Sequence, residues 1–385
     1  MKRILIFSLA YYPHVGGAEV ALKELTDRMP DIEWHMLTMQ FGGSPHVERV
    51  GNVHVYRIGP PAGGGGSYLS KILFILRAAK AARALHRTHP FDALWAMMTY
   101  MIFPVVFANL RIPYILSLQD GDPFERVFRR WYILPFLPLL RRGFRKASAV
   151  TALSTYLAAW AKKMGYQGAV AIIPNGADLA RFTPHANSIE TSGVVNLVTS
   201  SRLVHKNALD DVIRALVLLP KNIHFIIYGS GKEEQSLKEL ARTLKVSERV
   251  LFRGYVPHAE LARAFATAHI FIRPSRTEGF GASFVEAMAA GLPVIATQEG
   301  GVADFLFDEK RNPDKPTTGW AVDPDAPEQI ADAVKDIMTN PDKVARVRDS
   351  ALALVREKYD WDIIAKQMHA QFEAVFTHAH NTLTK

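Results

Sequence analysis

Residues 270–305 read IFIRPSRTEGFGASFVEAMAAGLPVIATQEGGVADF, and they carry the clearest pattern of secondary structure in the chain. The apolar, β-branched run 270–273 predicts a buried strand that a proline and a glycine loop end. Ala282 or Ser283 then begins a predicted helix, which glycine and proline stop before a second buried strand at 294–297. The order strand, glycine loop, helix, strand predicts a βαβ unit in a parallel sheet.

The N-terminus of this helix is predicted to bind an anion. Its unpaired N–H groups and partial positive charge favour phosphate. Glu278 precedes the glycine loop, and Glu286 projects back toward the helix start because helical side chains lean that way. Carboxylates repel phosphate unless they bind something else, and sugar and ribose hydroxyls suit them. The residues favour a nucleotide-sugar ligand, and a plain glycine loop with surface acids is the alternative.

The segment from Glu278 to Thr297 resembles the E-x7-E donor motif of the family 4 glycosyltransferases. The two glutamates, the GFG, the AMA-GLPV run and the following Gly300 and Gly301 all keep the spacing of that motif. The resemblance implies the GT-B fold and retaining, metal-independent transfer from a nucleotide-sugar.

Strands and helices alternate through both halves of the chain, and the polar, aperiodic residues 179–193 predict a linker. The fold class is therefore predicted as α/β, with two Rossmann-like doubly wound domains facing a cleft. We predict an acceptor-binding domain at 1–185 and a nucleotide-sugar-binding domain at 186–360. A final helical segment, 361–385, crosses back to the first domain in the family that the chain resembles.

Composition limits the classes of partner. The 385 residues are 49% hydrophobic and include no cysteine, which excludes disulfides and thiolate metal sites. Residues 1–190 hold 22 basic and 12 acidic residues, a net charge of +10, whereas the remainder is close to neutral. This half is predicted to meet an anionic partner. An anionic membrane surface is favoured over nucleic acid, because no nucleic-acid-binding motif is present.

Three other patterns are interpreted as ordinary structure. The start MKRILIFSLAYYP is read as a first strand rather than a signal peptide, because no cleavage site follows. The uncharged stretch 93–110 contains Pro104, which favours a strand and a buried helix over a membrane span. Gly229-Ser230-Gly231 is followed by Glu234 where a dinucleotide fingerprint needs glycine, so a nicotinamide site is excluded.

The remaining donor contacts follow from chemistry and from the resemblance. Arg202 and Lys206 lie in a strand-to-helix loop and are predicted to clamp the diphosphate, with a surface basic pair as the alternative. The Arg-Lys spacing is most often one residue longer in the family. The resemblance adds further donor-binding residues, namely Gly16, Gly17, Gly229, Tyr255, Val256, Phe280, Gly281, Ala282, Ser283 and Glu286.

The resemblance implies that the reacting centre lies at the end of strand 114–118, where Gln119 stands in the position that is usually histidine in the family. Asp120 is then the nearest charged group, and the candidate catalytic residues are Glu278, Asp120 and Gln119. Asp120 and Asp122 also match the short D-x-D metal motif of the other large glycosyltransferase fold. Because the rest of the chain resembles the metal-independent fold, no metal and no cofactor are expected.

Residues 124–146 are predicted to meet a membrane or an acceptor. Seven basic residues and no acid occur from Arg126 onward, around an aromatic and aliphatic centre that suits a lipid interface. Pro135 and Pro138 are predicted to break the helix here, and a kinked helix packed on its own domain is the alternative. The residues chosen for this role are Arg129, Arg130, Trp131, Arg141 and Arg142.

Two nearby segments are interpreted as ordinary structure. The stretch 60–66 is predicted to be a mobile loop because it is proline and glycine only, apart from one alanine. The stretch 68–86 predicts a basic amphipathic helix, and the favoured interpretation packs one side on the domain. Its apolar residues at helical spacing are Leu69, Ile72, Leu73 and Leu76.

The predicted function is retaining transfer of a hexose from a nucleotide-diphosphate sugar to a lipid-linked or cell-envelope glycan, on the cytoplasmic face of a membrane. Charge on the leaving phosphate would be stabilised by the basic pair and the helix N-terminus. Three alternatives stay open: a nucleotide-sugar epimerase or phosphorylase, a catalytically silent nucleotide-sugar binder, and a metal-dependent transferase using Asp122. The base, sugar and linkage are not determined by the sequence.

Overall fold

The computed structural model describes residues 1–62, 68–184 and 193–383 of the chain. The chain divides into two compact units. The first unit comprises Met1–Asn175 and Trp361–Lys385, and the second unit comprises Gly176–Asp360. The predicted boundary at 185 lies outside the described residues, and contacts divide the chain earlier, between Asn175 and Gly176.

An eight-stranded sheet forms the centre of the first unit. Its strands are β1 Lys2–Phe7, β2 Ile32–Phe41, β3 Val47–Val50, β4 Val53–Ala62, β5 Ala93–Met97, β6 Tyr114–Leu118, β7 Ala149–Ala152 and β8 Val170–Ile172. Their order across the sheet is β3-β4-β2-β1-β5-β6-β7-β8. All pairs are parallel except β3 with β4, which form an antiparallel ladder at the edge.

A six-stranded, wholly parallel sheet forms the centre of the second unit. Its strands are β9 Val195–Ser200, β10 Ile223–Tyr228, β11 Val250–Gly254, β12 Ile270–Arg273, β13 Val294–Thr297 and β14 Trp320–Val322. Their order is β11-β10-β9-β12-β13-β14.

Helices connect the strands in both units. Those of the first unit are α1 Gly17–Asp27, α2 Tyr68–Thr88, α3 Ile102–Ala108, α4 Phe124–Phe128, α5 Leu137–Lys146 and α6 Thr155–Lys163. Those of the second unit are α7 Leu209–Ala215, α8 Glu234–Thr243, α9 His258–Ala266, α10 Ala282–Ala289, α11 Pro327–Thr339 and α12 Pro341–Lys358. The last helix, α13 Trp361–Leu383, belongs to the first unit.

Aromatic packing explains why the last helix belongs to the first unit. Phe372 of α13 lies edge-on to the buried rings of Trp34 and Trp95, with centroid distances of 5.5 and 5.3 Å. Trp361 and Ile364 of the same helix are buried in that core as well. Such aromatic contacts contribute about 0.5–1.5 kcal/mol each beyond the apolar area that they bury.

Strand order places a ligand-binding position in each sheet. In a doubly wound sheet, ligands bind outside the carboxyl ends of the strands where the strand order reverses direction. That point lies between β1 and β5 in the first unit and between β9 and β12 in the second. The loops that follow β9 and β12 carry the predicted diphosphate clamp and the E-x7-E segment.

The prediction of two doubly wound α/β units is confirmed. The decisive βαβ unit is β12, α10 and β13, with boundaries close to the predicted ones. Sequence patterns did not indicate β3 and β14, which are only four and three residues long. Helix α12 was not predicted either.

The prediction that residues 60–66 cannot be regular structure was wrong at its start. Strand β4 continues through Pro60 and Pro61 to Ala62, which pairs with Phe41 of β2. On its other side, β3 reaches β4 only as far as Tyr56. A proline is tolerated where no partner strand needs its missing N–H. Residues 63–66 lie outside the described part of the chain.

The uncharged stretch 93–110 forms β5 and α3, as predicted. Among the described residues, no helix is both long enough and apolar enough to cross a membrane.

Candidate active site

The candidate site lies at the reversal of strand order in the second sheet. A short 3-10 helix, His205–Asn207, follows β9 and presents Lys206. The side-chain amide of Asn207 donates to the carbonyl oxygen of Arg202 at 2.6 Å, which closes this loop on itself. The Arg202 side chain is exposed, and it makes no ion pair with any described residue. The predicted basic pair therefore stands together on one loop.

Lys206 and Glu278 meet across this edge of the sheet. The lysine Nζ lies 4.0 Å from the Oε1 atom of Glu278, and both side chains are largely buried. The loop after β9 and the loop after β12 thus present one cation and one carboxylate side by side, as neighbouring strands of a parallel sheet require. A negative ligand placed here meets the lysine, whereas a hydroxyl meets the glutamate.

Sequence reasoning missed Arg273, whose side chain binds β9, the loop after β12 and α10. Its buried guanidinium donates to Glu278 Oε2 at 3.1 Å, to Ser283 Oγ at 2.9 Å and to the carbonyl oxygen of Ser200 at 3.1 Å. It also lies over the ring of Phe284, 4.2 Å from the centroid. Burial lowers the pKa of this arginine, and Glu278 and Glu286 partly offset that effect. The available signal in the sequence was a single charged residue at the end of an otherwise apolar strand.

Arg276, also missed, ties the two loops together. Its backbone N–H donates to the carbonyl oxygen of Lys206 at 2.8 Å, and its side chain donates to the carbonyl oxygen of His205 at 2.7 Å. The same guanidinium pairs with Asp210 and Asp211 of α7. These contacts hold Lys206 at a fixed distance from the β12 loop.

The start of α10 faces this edge of the sheet. Gly281 precedes the helix with φ +85°, a conformation that glycine adopts at little cost. Ser283 in the first turn donates its hydroxyl to the carbonyl oxygen of Ser200 at 3.2 Å, which fixes the helix end against β9. The predicted helix start at Ala282 is confirmed, and the first N–H groups of such a helix favour a phosphate.

Glycines allow close approach of backbone segments around the site. Gly300 has φ +62°, and a Cβ there would overlap the carbonyl oxygen of Glu278. Gly229 has φ +141°, and a Cβ there would overlap the carbonyl oxygen of Ser201. The N–H of Gly301 donates to the same Glu278 oxygen at 3.0 Å. The sequence-predicted glycines thus shape the loops that carry the charged residues.

Glu286 is buried, with 6% of its surface exposed, and its carboxylate contacts His258 rather than the α10 N-terminus. His258 Nε2 lies 2.7 Å from Glu286 Oε1, and His258 Nδ1 lies 2.9 Å from the guanidinium of Arg181. His258 and Arg181 were not predicted as site residues, because sequence spacing does not connect positions 181, 258 and 286.

Three other predicted donor-binding residues differ in exposure. Tyr255 is 64% exposed and Val256 is partly exposed, so both remain accessible to a nucleotide base. Phe280 is buried against Phe305 and Tyr359, with centroid distances of 5.3 and 5.7 Å. Its ring packs in the core, which leaves only its backbone for a ligand contact.

In the first unit, the glycine loop after β1 and the end of β6 lie close together. The N–H of Gly16 donates to Glu19 Oε2 at 2.8 Å, which closes the start of α1. Gln119 donates through Nε2 to Asn175 Oδ1 at 3.3 Å, and Asn175 is also the nearest side chain to Gly17. The structure therefore groups Gly17, Gln119 and Asn175, of which only Asn175 was not predicted as a site residue.

Asp120 is buried, and its carboxylate faces the turn after β5. Its Oδ2 accepts hydrogen bonds from the N–H and hydroxyl of Thr99, at 3.2 and 2.7 Å. The preceding Met98 has φ +73°, so Asp120 supports a strained turn. Burial raises the pKa of Asp120 to about 6. These contacts describe a structural carboxylate, and a catalytic role for Asp120 stays a prediction.

The raised pKa gives a testable pH dependence for Asp120→Asn. The folded-state pKa lies above the unfolded-state value, so the charged form costs stability above pH 6, and this cost disappears as pH falls toward 4. We expect the variant to be more stable than wild type at pH 8 by roughly 1–3 kcal/mol, and by little at pH 4. Urea unfolding at the two pH values measures this difference.

An equal loss of stability at both pH values would contradict this account of Asp120. Glycosyl transfer by the same folded variant tests the catalytic prediction separately. A fall of about a hundredfold or more in kcat would support that role for the carboxylate.

Asp122 pairs with Arg126 at 3.7 Å. Within residues 1–62, 68–184 and 193–383, no group of three or more His, Cys, Asp or Glu side chains is placed to hold a metal ion.

The basic and aromatic segment after β6 lies on the surface of the first unit. Trp131 is 82% exposed, and Arg129, Arg141 and Arg142 are exposed, whereas Arg130 is partly buried and donates to the Tyr132 hydroxyl at 2.6 Å. The two prolines do not kink a single helix here. Instead, each lies in the first turn of its own helix, the 3-10 helix Leu134–Phe136 and α5.

The favoured interpretation of the 68–86 helix was wrong about which side packs. In α2 the apolar stripe faces outward, with Leu69 at 64% and both Ile72 and Leu76 at 53% exposure. Phe74 and the small residues Ala78, Ala79 and Ala82 are buried instead. Alanines allow the helix to lie close to the unit, so α2 uses its small side for packing and leaves its large apolar side exposed.

This exposed stripe and the basic segment are linked through α3. Helix α3 contacts both α2 and α5. Phe103 of α3 packs edge-on against Phe136 at 6.0 Å, and Arg83 of α2 donates to the carbonyl oxygen of Phe107 at 2.8 Å. The first unit therefore carries exposed apolar residues on α2 and exposed basic residues on α5, two helices that both pack against α3.

Two family models match the chain. The model described as Glycosyltransferase Family 4 matches residues 15–181, and the model described as Glycosyl transferases group 1 matches residues 187–353. Together they span most of the sequence.

Curated relatives match over most of their length. A protein of Mycobacterium tuberculosis is 25% identical over 416 residues, covering 96% of this chain and 97% of the relative. A protein of Mycolicibacterium smegmatis is 31% identical over 250 residues, covering 60% of this chain and 64% of the relative. Both are named GDP-mannose-dependent alpha-(1-6)-phosphatidylinositol monomannoside mannosyltransferase.

Solved structures share the fold. Sucrose-phosphate synthase from Thermosynechococcus elongatus matches with a TM-score of 0.83 and 18% identity, covering 98% of this chain and 100% of that chain. Anabaena HepE, solved with UDP-glucose, matches with a TM-score of 0.77 and 19% identity, covering 97% of this chain and 100% of that chain.

Proposed function

The chain belongs to glycosyltransferase family 4, and from this premise we propose that it transfers mannose from GDP-mannose to a phosphatidylinositol-linked mannoside. Glycosyltransferase activity follows from the family. The donor and acceptor are proposed because the relatives named above are mannosyltransferases of that kind. The observation that carries the proposal is the meeting of Lys206, Glu278 and the α10 N-terminus at the strand-order reversal of the second unit.

The site chemistry supports a diphosphate leaving group. Arg202 and Lys206 supply positive charge on one loop, and the start of α10 adds unpaired N–H groups. Such groups stabilise the charge that develops on the leaving phosphate when the glycosidic bond breaks. We propose that this charge is met by protein groups alone and that no divalent metal is needed.

Glu278 is proposed to orient the transferred sugar. Arg273 holds one of its oxygens, and Lys206 lies near the other, so the carboxylate is fixed rather than mobile. Each carboxylate oxygen can accept more than one hydrogen bond, which leaves capacity for sugar hydroxyls. We propose transfer with retention of configuration, in which the leaving phosphate assists attack on the same face.

A transfer assay tests the proposal directly. The purified chain is incubated with GDP-mannose, UDP-glucose or ADP-glucose and a phosphatidylinositol monomannoside, with and without EDTA. We expect a mannosylated lipid with an α linkage, formed equally with EDTA. Donor consumption without acceptor, or a new nucleotide-sugar, would indicate a hydrolase or epimerase. No turnover of any donor would indicate a silent binder, and a β linkage would contradict retention.

We propose in addition that the first unit binds the cytoplasmic face of an anionic membrane, where such an acceptor lies. Its exposed apolar stripe on α2 and the exposed Trp131 suit the lipid side of the interface. The neighbouring Arg141 and Arg142 suit anionic headgroups. Exposed charge and exposed apolar surface on helices that share α3 as a packing partner favour a lipid surface over a free soluble glycan.

Vesicle binding tests this surface with a matched control. We expect Ile72→Ser with Leu76→Ser to weaken binding to phosphatidylinositol-containing vesicles about tenfold, since two half-exposed apolar side chains lose their burial in lipid. Val217→Ser with Leu218→Ser removes similarly exposed residues from the second unit and should leave binding unchanged. Co-sedimentation measures the bound fraction. Equal binding by both double variants would remove α2 from the proposed surface.

A further inference from the structure

Three side chains of the second unit form a continuous chain of hydrogen bonds that ends at Glu286. Arg181 lies 2.9 Å from His258 Nδ1, and His258 Nε2 lies 2.7 Å from Glu286 Oε1. Arg181 is itself held by Asp178 at 3.2 Å, and Phe182 packs edge-on against the imidazole at 5.6 Å. The imidazole is therefore fixed on both nitrogens and on one face.

The partners of His258 determine where its proton lies. A guanidinium has only donors, so Nδ1 must accept from Arg181. A neutral imidazole that accepts at Nδ1 carries its proton on Nε2, and this N–H then donates to Glu286 Oε1. Arg181 thus selects the tautomer in which His258 is a donor toward the carboxylate.

This bond leaves the two oxygens of Glu286 in different situations. Oε1 is bound by His258, whereas no described residue donates to Oε2. The carboxylate cannot rotate without breaking a bond to a side chain that is itself held in place. A buried carboxylate with one oxygen fixed and one available is suited to accept a hydroxyl in a single geometry.

We propose that His258, set by Arg181, is a positioning residue that orients Glu286 to accept a hydrogen bond from a ribose hydroxyl of the donor. This inference rests on the proposed function, in which Glu286 binds the ribose. His258 also begins α9, two positions after Val256 and three after Tyr255, the residues predicted to contact the base. The same segment then carries the base contact and the group that orders the ribose contact.

The structure provides a matched pair of substitutions. In His258→Asn the amide oxygen takes the place of Nδ1 and the donor to Glu286 is lost. In His258→Gln the amide nitrogen takes the place of Nε2 and the donor to Glu286 is kept. Arg263→Ala, which removes an exposed cation from the same helix, is the control for general effects on α9.

The probes are GDP, UDP and ADP and their 2′,3′-dideoxy counterparts, titrated into each protein by calorimetry. For the nucleotide that binds wild type best, we expect a preference of about tenfold or more for the ribose form. His258→Asn should reduce that preference to within about threefold of unity, and His258→Gln and Arg263→Ala should keep most of it. Loosening of the fold would weaken both forms equally and leave their ratio unchanged.

The outcomes separate this inference from the proposed function. If wild type prefers the ribose form and His258→Asn keeps the same preference, the positioning role of His258 is overturned. The proposed donor site is then still supported. If His258→Gln loses the preference as fully as His258→Asn, the donor role of Nε2 is overturned. If wild type binds none of the three nucleotides, both the proposed donor site and the positioning role of His258 are contradicted.

Discussion

Replacing Arg202 by alanine is expected to lower kcat/KM for glycosyl transfer by at least about tenfold, or 1.4 kcal/mol of transition-state stabilisation. The reason is that Arg202 is an exposed cation on the loop that also carries Lys206, at the strand-order reversal of the second unit. Charge develops on the diphosphate as it leaves, so the loss should fall on kcat more than on KM.

Glu286→Ala should also lower kcat/KM by at least about tenfold, mainly through weaker donor binding.

The matched control for Arg202 is Lys232→Ala. Lys232 is an exposed cation of the same unit, and its only ion pair with a described residue is with the adjacent Glu233. It should transfer at the wild-type rate. Steady-state kinetics with GDP-mannose would settle the comparison. If Arg202→Ala and Glu286→Ala both kept near-wild-type rates, the donor site would have to lie elsewhere.

Gly300→Ala is expected to destabilise the protein by about 3 kcal/mol and to reduce transfer. An alanine at this position must adopt φ +62°. Its Cβ must also displace the carbonyl oxygen of Glu278. The displaced segment carries the carboxylate that Arg273 and Lys206 hold, so a stability change and a site change should occur together.

Gly254→Ala provides the comparison that isolates the close approach. Gly254 has a similar φ of +69°, but no atom lies within 4 Å of an added Cβ. We expect a loss of roughly 1–2 kcal/mol from backbone conformation alone. Thermal and urea unfolding of both variants measure the difference. Equal losses at the two glycines would show that contact between residues 278 and 300 contributes little.

The fold could be predicted where local pattern and structure agree. The apolar run of β12, the glycine before α10 and the glycine and proline before β13 are all local signals. They fix the order of elements, and a parallel sheet then brings the loops after its strands to one edge. For the same reason the sequence could place Arg202, Lys206 and Glu278 at one edge of the sheet, because each lies in a segment that follows a strand.

The side-chain network beneath the site could not be predicted in the same way. Arg273 is the last residue of the apolar strand β12, and His258 contacts Glu286 from a different helix. Such contacts depend on packing between elements that are distant in sequence. Asp120 shows the same limit, since its position suggested a reacting group whereas its contacts are with Thr99.

Helix α2 shows a different limit of sequence periodicity. The pattern identified an apolar stripe at the correct spacing, but it did not reveal that the alanine side packs on the unit. Periodicity shows which residues share a face, and the size of the residues on the other face determines how closely the helix can lie. A helix that packs through small residues and exposes large apolar residues on its other side therefore favours a lipid partner.

The central claim is that a diphosphate binds at the start of α10, beside Arg202 and Lys206. A crystal structure of the protein with GDP tests it most directly. We expect phosphate oxygens within hydrogen-bonding distance of both side chains and of the N–H groups at Ala282 and Ser283, with a ribose hydroxyl at Glu286. A nucleotide bound away from the carboxyl ends of β9 and β12 would contradict it.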